Sequence, residues 1–457
     1  MKLTKKVLGV VVSVLLGATA FAQSGSLSQG PFTLYRMDNL VSNTRISTVG
    51  LYYTDVDNFM SVTRWNTVKP ETFFGHIGYE DELSVGFAKQ FKDFYIGTSF
   101  VGQLDGLTST TTNNDGDKST TTETSDANDF TAAALFGFGN MAFKATAAWN
   151  NADITNTKNI DGDVIKSEDF NLNINLENGF VTKLDDKPLE LSFLLGLDSS
   201  VTKSLNETTD TKEDNSTYTI NVGSSALWTF DTKEKYTQEG LLHLYTSWAI
   251  PVDSEENGDV KTKTFGIYDN SIALTPEYRI TLNPTERVSM KFGAILPIKF
   301  DFSGTADYLE VDGDKFYTMS KTESVDVGIT PIVSLGMIYQ VLPEKVNFNM
   351  GINFSTPSLT WDTVTTKTRA DSSSKDVDTK STTTVYNYND YTAGVQFGSG
   401  FTVLLGKNVT FDCYWNILSN LFGTDFRSDL NEGNVNFWNT VNKIFVHNIG
   451  FSISAKF

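Results

Sequence analysis

Three Asp-Gly-Asp triplets, Asp115–Asp117, Asp161–Asp163 and Asp312–Asp314, are the first residues whose types and spacing could do chemistry. Carboxylates around a glycine can begin a calcium loop. Such a loop adds oxygen ligands at regular positions and ends on a distal Glu. None of the three triplets continues that way. Asp-Gly is also a common pair at hairpin tips, so turns are expected here. The histidines His76, His243 and His447 are scattered, with no Cys or second His at metal-binding spacing. No Gly-x-Ser-x-Gly nucleophile motif occurs. The single cysteine, Cys413, cannot form an internal disulfide. It sits in the alternating run VTFDCYWNI (409–417), in step with Phe411 and Trp415, and reads as a small apolar strand residue. These residues point away from an enzyme, a bound metal and a cofactor.

Polar residues at every second position suggest a different task, selective passage. In FNLNINLE (170–177), Phe170, Leu172, Ile174 and Leu176 alternate with Asn171, Asn173, Asn175 and Glu177. A period of two describes a strand with one apolar and one polar face. The same parity collects Lys291, Lys299 and Asp301, then Asn347, Asn349 and Asn353, then Asp412 and Asn416. Were these strands to close into a barrel with the apolar side outward, those residues would line its lumen. Charges and amides along a pore set its selectivity. The competing structural reading is a closed hydrogen-bond network that fills the lumen.

The elements needed to position such a lumen recur from Phe73 to Phe457. Leu189, Leu191, Phe193, Leu195 and Leu197 share one face, as do Val346, Phe348, Met350, Ile352 and Phe354. The runs 287–302 and 346–363 exceed the ~9–11 residues that cross a bilayer as a tilted strand. Short connections (139–140, 184–188, 283–286, 343–344, 406–408) alternate with long polar ones. The long ones are 105–128, 151–169, 201–215, 252–264, 303–324 and 364–388, rich in Ser, Thr, Asp and Asn. They are expected to be mobile loops, because they hold too little apolar area to pack alone. One plain and one elaborate rim is the rhythm of an up-and-down membrane barrel, whereas a soluble sandwich has mostly short turns at both ends. Trp149, Trp228, Trp248 and Trp361 lie near run ends, where interfacial aromatic girdles sit.

Residues 1–22 read as a secretory signal: Lys2, Lys5 and Lys6, an apolar stretch from Val7 to Leu16, then Ala20-Phe21-Ala22. The formal charge is −19, and loss of those three lysines would make the exported chain −22. That balance excludes a nucleic-acid-binding surface, which needs basic patches. It favours cations near the molecule. No apolar run is long enough for a membrane-spanning helix.

The chain ends in HNIGFSISAKF, with Phe451, Ile453 and Phe457 on one face. This resembles the C-terminal signal strand of bacterial outer-membrane β-barrels, with the final Phe as the assembly signal, and the Ser/Thr-rich loops resemble those of spirochaete surface barrels. The resemblance implies an all-β fold, a transmembrane antiparallel up-and-down β-barrel of about 16 strands, with 14 the alternative. It implies a home in the outer membrane of a diderm bacterium, with loops at the cell surface. Outer-membrane lipid, the barrel assembly machinery and small solutes are the implied partners, and oligomerisation is left open. Residues 23–70 form an N-terminal segment, either a plug or a periplasmic tail together with a first strand, and 71–457 form the barrel. The first strand is ETFFGHIGY (71–79) or an earlier segment such as TRISTVGLYY (44–53). The function expected first is a porin-like channel for passive diffusion of small solutes. A transporter of hydrophobic molecules with an N-terminal plug, and a surface adhesin acting through its loops, are the alternatives.

Overall fold

Period-two patterning over most of the chain produces a molecule built almost wholly of strand. The computed structural model describes residues 60–67, 71–77, 82–104, 109–115, 118–158, 164–206, 211–233, 235–256, 262–311, 315–343, 345–355, 358–368, 379–389, 394–405, 408–417 and 449–456. The segment TRISTVGLYY, His447 and Phe457 lie outside them. After a short 3-10 turn at Trp65–Thr67 come β1 (Glu71–Ile77), β2 (Glu82–Gln90), β3 (Phe94–Leu104), β4 (Ser109–Asp115), β5 (Lys118–Phe138), β6 (Met141–Lys158) and β7 (Val164–Leu184). Next are β8 (Lys187–Asn206), β9 (Thr211–Lys233), β10 (Tyr236–Glu256), β11 (Thr262–Thr285), β12 (Val288–Ile295), β13 (Ile298–Val311) and β14 (Lys315–Ile329). The last are β15 (Ile332–Leu342), β16 (Val346–Ser355), β17 (Ser358–Thr368), β18 (Thr379–Asn389), β19 (Gly394–Leu405), β20 (Val409–Ile417) and β21 (Ile449–Lys456).

Every pairing is antiparallel, and five of the 21 segments continue the pass of the one before them. β3 and β4 both pair with β5. β12 and β13 both pair with β11, and β14/β15, β16/β17 and β18/β19 follow in the same way. Sixteen passes result. β21 pairs with β20 on one side and with β1 on the other, from Thr72↔Lys456 to Ile77↔Phe451. The ladder thus returns to its start, and backbone groups find partners within the sheet, as a strand structure in lipid requires.

One rim is made of tight turns. Phe138 pairs with Met141 across Gly139, whose φ is 59°. Leu184 pairs with Lys187 across Asp185 and Asp186, at φ 50° and 63°. Two central residues of positive φ define the turn whose twist suits a hairpin, and Asp tolerates that region better than most residues. The start of β1 and the end of β21 lie on this same plain rim.

The opposite rim corrects an expectation. The long polar segments are largely paired strand rather than mobile loops. β9 runs 23 residues and β11 runs 24. β9 and β10 stay in register as far as Glu256↔Lys212. β4 and β5 are antiparallel, with Asp115 paired to Lys118, so the first Asp-Gly-Asp triplet begins at the end of β4; Gly116, Asp117 and the triplets at 161–163 and 312–314 lie outside the described residues. The physical reason is that threonine is β-branched and favours extended backbone. A strand leaving the membrane also has a template beside it, so each added ladder pair needs no new nucleus.

A second departure concerns 287–302 and 346–363, which the alternation suggests are continuous. Both are broken. Pro297 separates β12 from β13, Pro331 separates β14 from β15, and residues 356–357 separate β16 from β17. The breaks adjoin one another across the sheet, since Ile295↔Ile332 and Ile298↔Ile329 bracket the first two. Proline has no N–H to donate, so it withdraws one ladder bond; at Pro297 and Pro331, which stand close together across the sheet, the ladder breaks. The ladder resumes past the gap through Leu296 N–H to the Pro276 carbonyl at 3.0 Å and Thr330 N–H to the Pro297 carbonyl at 3.2 Å. A seam of prolines therefore crosses this part of the wall.

The two faces of the wall differ sharply. Phe87, Phe143, Leu176, Phe193, Leu195, Leu197, Ile220, Leu242, Leu244 and Phe401 are exposed, while Asn173, Asn175, Asn221, His243, Glu277, Arg279 and Lys291 are buried. That is a soluble protein turned inside out, and only lipid makes such an exterior stable. Outward aromatics group at two heights. Phe94 and Phe136 lie 5.7 Å apart toward the plain rim; Phe100, Phe130 and Trp149 form a chain of 5.8 and 5.7 Å contacts toward the other. Trp228, Phe230 and Tyr278 form a further cluster. Along β5 the two heights are six residues apart, about 20 Å of strand, a span that fits within the ~25 Å apolar band of membrane barrels.

Candidate functional site: the lumen

Inward-facing residues fall into three tiers. Nearest the plain rim are ion pairs. Lys144 on β6 meets Glu177 on β7 at 2.9 Å. Lys291 on β12 meets Glu239 on β10 at 3.0 Å. Arg279 grips Glu277 two residues away through Nε and through a second nitrogen at 2.9 Å. Arg64, from the segment before β1, meets Glu190 on β8 at 3.0 Å. Four cations and four carboxylates make this tier charge-balanced. Arg279 is only 1% exposed, and a charge buried so deeply is tolerable only with a partner that offsets lost hydration.

Above it lies a belt of amides. Asn173 and Asn221 both donate to Asp198, one to each carboxylate oxygen. Tyr245 donates its hydroxyl proton to the Asn221 side-chain oxygen at 2.6 Å, and Asn175 donates to Asn173. The belt steps across β7, β8, β9 and β10 because those residues lie at or near the same register height. Gly196 faces inward beside it, and a Cβ there would strike the Asn175 side chain.

The third tier lies beyond the proline seam, toward the elaborate rim. Asp301, Asp326 and Asp362 are directly opposite one another on β13, β14 and β17. Lys299 pairs with Asp301 at 2.9 Å, yet these two side chains remain 45% and 32% exposed. This tier is open where the lower two are packed.

Of the residues picked out by alternation, Asn171, Asn173, Asn175, Glu177, Lys291, Lys299 and Asp301 all lie on the inward face. Asn173, Asn175, Glu177 and Lys291 are buried in networks rather than lining open water. Asn349 faces inward and donates to Thr402 at 3.0 Å, with Asn347 in step with it. Asn353, Asp412 and Asn416 hold paired backbone positions on the same parity, and their side chains lie outside the described residues. Of the C-terminal signal, Ile453 is exposed outward, Phe451 is placed by its backbone pairing, and Phe457 is outside the described residues.

Sequence reasoning missed Lys144, Glu190, Asp198, Asn221, Glu239, His243, Tyr245, Glu277 and Arg279. Parity could have found several. Glu190 and Asp198 oppose the leucine face of 189–197, and Asn221 opposes Tyr218, Ile220 and Val222. The N-terminal segment read as a plug or a periplasmic tail enters the described residues at Met60, and Met60, Ser61, Val62, Thr63 and Trp65 are buried inside the barrel near the plain rim, although no alternation singled them out.

No family model matches the chain, and no curated protein matches it. Among solved structures it is similar to the ferric yersiniabactin uptake receptor FyuA from Yersinia pestis, with TM-score 0.35, 8% identity, 76% of this chain and 68% of that chain covered. It is similar to CdiB from Escherichia coli (TM-score 0.40, 12% identity, 84% and 62% covered) and to CdiB from Acinetobacter baumannii (TM-score 0.38, 8% identity, 85% and 60% covered). The chain spans less than two thirds of the length of either CdiB. Likeness at this level says nothing about cargo. The architecture, an antiparallel barrel with an apolar exterior, is that of bacterial outer-membrane β-barrels on its own strand pairing.

Proposed function

We propose that this chain is an outer-membrane channel through which small polar solutes cross passively. The observation that carries this reading is the upper tier: Lys299 and Asp301 point inward, pair with each other, and remain substantially exposed beside Asp326 and Asp362. Water-accessible charges on the inner face of a lipid-facing barrel imply a wet vestibule. Three carboxylates against one lysine favour cations there. An apolar cargo has less support, because inward apolar side chains such as Val62, Trp65, Tyr95 and Leu135 cluster around residues 60–67. A second inward apolar group, Leu194, Tyr245 and Ala273, lies beside the amide belt, and the upper tier is polar. No chemistry is assigned to the lumen; its work is size exclusion and charge selection.

In this reading the start of β1, the end of β21 and the tight turns face the periplasm, and the projecting strand pairs face the cell exterior, as in other barrels of this kind. Planar-bilayer recording of the refolded full-length protein, with reversal potential in a salt gradient, tests the proposal. Stable current steps with cation preference are the expected result. A folded barrel that carries no current under any applied voltage would refute it. Protease treatment of intact cells tests the orientation: cuts between β4 and β5 and between β17 and β18, and none at the tight turns, are expected.

A further inference from the structure

The passage has an occupant drawn from its own chain. Met60, Ser61, Val62, Thr63 and Trp65 are all buried inside the barrel near the plain rim. They form a compact turn, with Trp65 N–H donating to the Ser61 carbonyl at 3.1 Å and Thr63 N–H to the Ser61 hydroxyl at 3.4 Å. The wall is shaped to receive it. Gly137 and Gly179 face inward at two contact points. A Cβ on Gly137 would stand 2.6 Å from the Trp65 ring; one on Gly179 would overlap the Val62 carbonyl and stand 2.7 Å from the Val62 Cβ. Both are distances that real Cβ atoms do not reach, so larger residues there would exclude the turn. Ala88, Ala133 and Ala142 complete the small-residue floor, and Tyr95 meets Trp65 ring to ring at 5.4 Å.

One polar contact holds the turn on its other side. The same Glu190 oxygen accepts from the Thr63 hydroxyl at 2.9 Å and from Arg64 Nε at 3.0 Å. Charge-assisted bonds of this kind are the strong ones, and they are directional. The apolar contacts fix where the turn sits, while Glu190 fixes how it is oriented.

We infer that residues 60–67 are a gate across the plain-rim end of the lumen and that Glu190 is its latch. The inference rests on the channel reading above. The gate narrows the passage at the charge-balanced tier, so solutes must displace it or pass beside it. Releasing Arg64 from Glu190 leaves the apolar contacts intact, so the turn loosens without leaving the barrel.

The test uses full-length protein with Cys413→Ser, which removes the native thiol. Val62→Cys then carries the single thiol at a buried position of the turn. It is expected to resist maleimide in the folded barrel and to label after unfolding. Adding Gly179→Val, whose Cβ would overlap the Val62 carbonyl, is expected to displace the turn and expose that thiol to maleimide in the folded barrel. In planar bilayers Gly179→Val is expected to conduct more than the parent. Glu190→Gln is expected to raise mean conductance about twofold or more. A thiol at position 62 that labels freely in the folded parent barrel would overturn the docking, and with it the gate. A protected thiol with unchanged conductance in both Gly179→Val and Glu190→Gln would overturn the gate and leave the channel standing. Silence from every variant and from the parent would overturn both.

Discussion

Lys144→Met isolates the difference between a packed and a hydrated lumen. Lys144 and Glu177 pair at 2.9 Å with 3% and 9% of their surfaces exposed. Lys299 and Asp301 pair at the same 2.9 Å but are far more open. Both join a lysine to a carboxylate at one distance; the upper pair differs in its exposure and in standing beside Asp326 and Asp362, whose charges water can screen. Removing one partner of a buried pair leaves an uncompensated charge and costs about 3–5 kcal/mol. An exposed pair contributes about 0–1 kcal/mol, because water and salt replace the lost partner. Lys144→Met should therefore destabilise the barrel by about 3 kcal/mol or more, and Lys299→Met by less than about 1 kcal/mol. The double variant Lys144→Met/Glu177→Met should recover most of the loss, since two apolar side chains of similar length need no hydration. Urea titration of refolded protein, followed by tryptophan fluorescence, reads all three. Equal small effects from Lys144→Met and Lys299→Met would refute the reasoning and mean that the lower tier is as wet as the upper.

Three further predictions probe the wall and the lumen. Phe193→Arg, at the centre of the outward run 189–197, should destabilise the barrel by about 2–4 kcal/mol in lipid, as arginine does at the bilayer midplane; equilibrium folding into vesicles would show it, and no loss would mean this face is not in lipid. Gly137→Val should push Trp65 from its seat and open the bond after Arg64 to trypsin, detected by mass spectrometry of the released fragment; continued protection would mean the turn does not dock there. Neutralising Asp301, Asp326 and Asp362 to Asn together should shift the reversal potential toward anion permeation, and an unchanged potential would remove these carboxylates from the selectivity path.

Much of the barrel was legible in the sequence because its information is local. A strand's inner and outer faces follow from parity, so Asn173, Asn175, Glu177 and Lys291 could be assigned inward from their own runs. The tight turn at Asp185 and Asp186 shows in the same way, as a polar pair between two alternating runs. Parity says nothing about how far a ladder continues once it leaves the membrane. The Ser/Thr-rich stretches therefore read as loops, although a neighbouring strand was available to pair with them.

The sequence by itself determined the strand period, the side that meets lipid and the alternation of plain and elaborate connections, because each depends on residues close together in the chain. Only the tertiary structure decided how wet the lumen is. The belt of Asn173, Asp198, Asn221 and Tyr245 joins four passes. The contact of Arg64 with Glu190 spans 126 residues, and the fit of Trp65 against Gly137 also joins segments far apart in the chain. Whether an inward polar residue is packed or hydrated depends on what stands beside and across the barrel from it. That is a property of closure, and no window of sequence contains it.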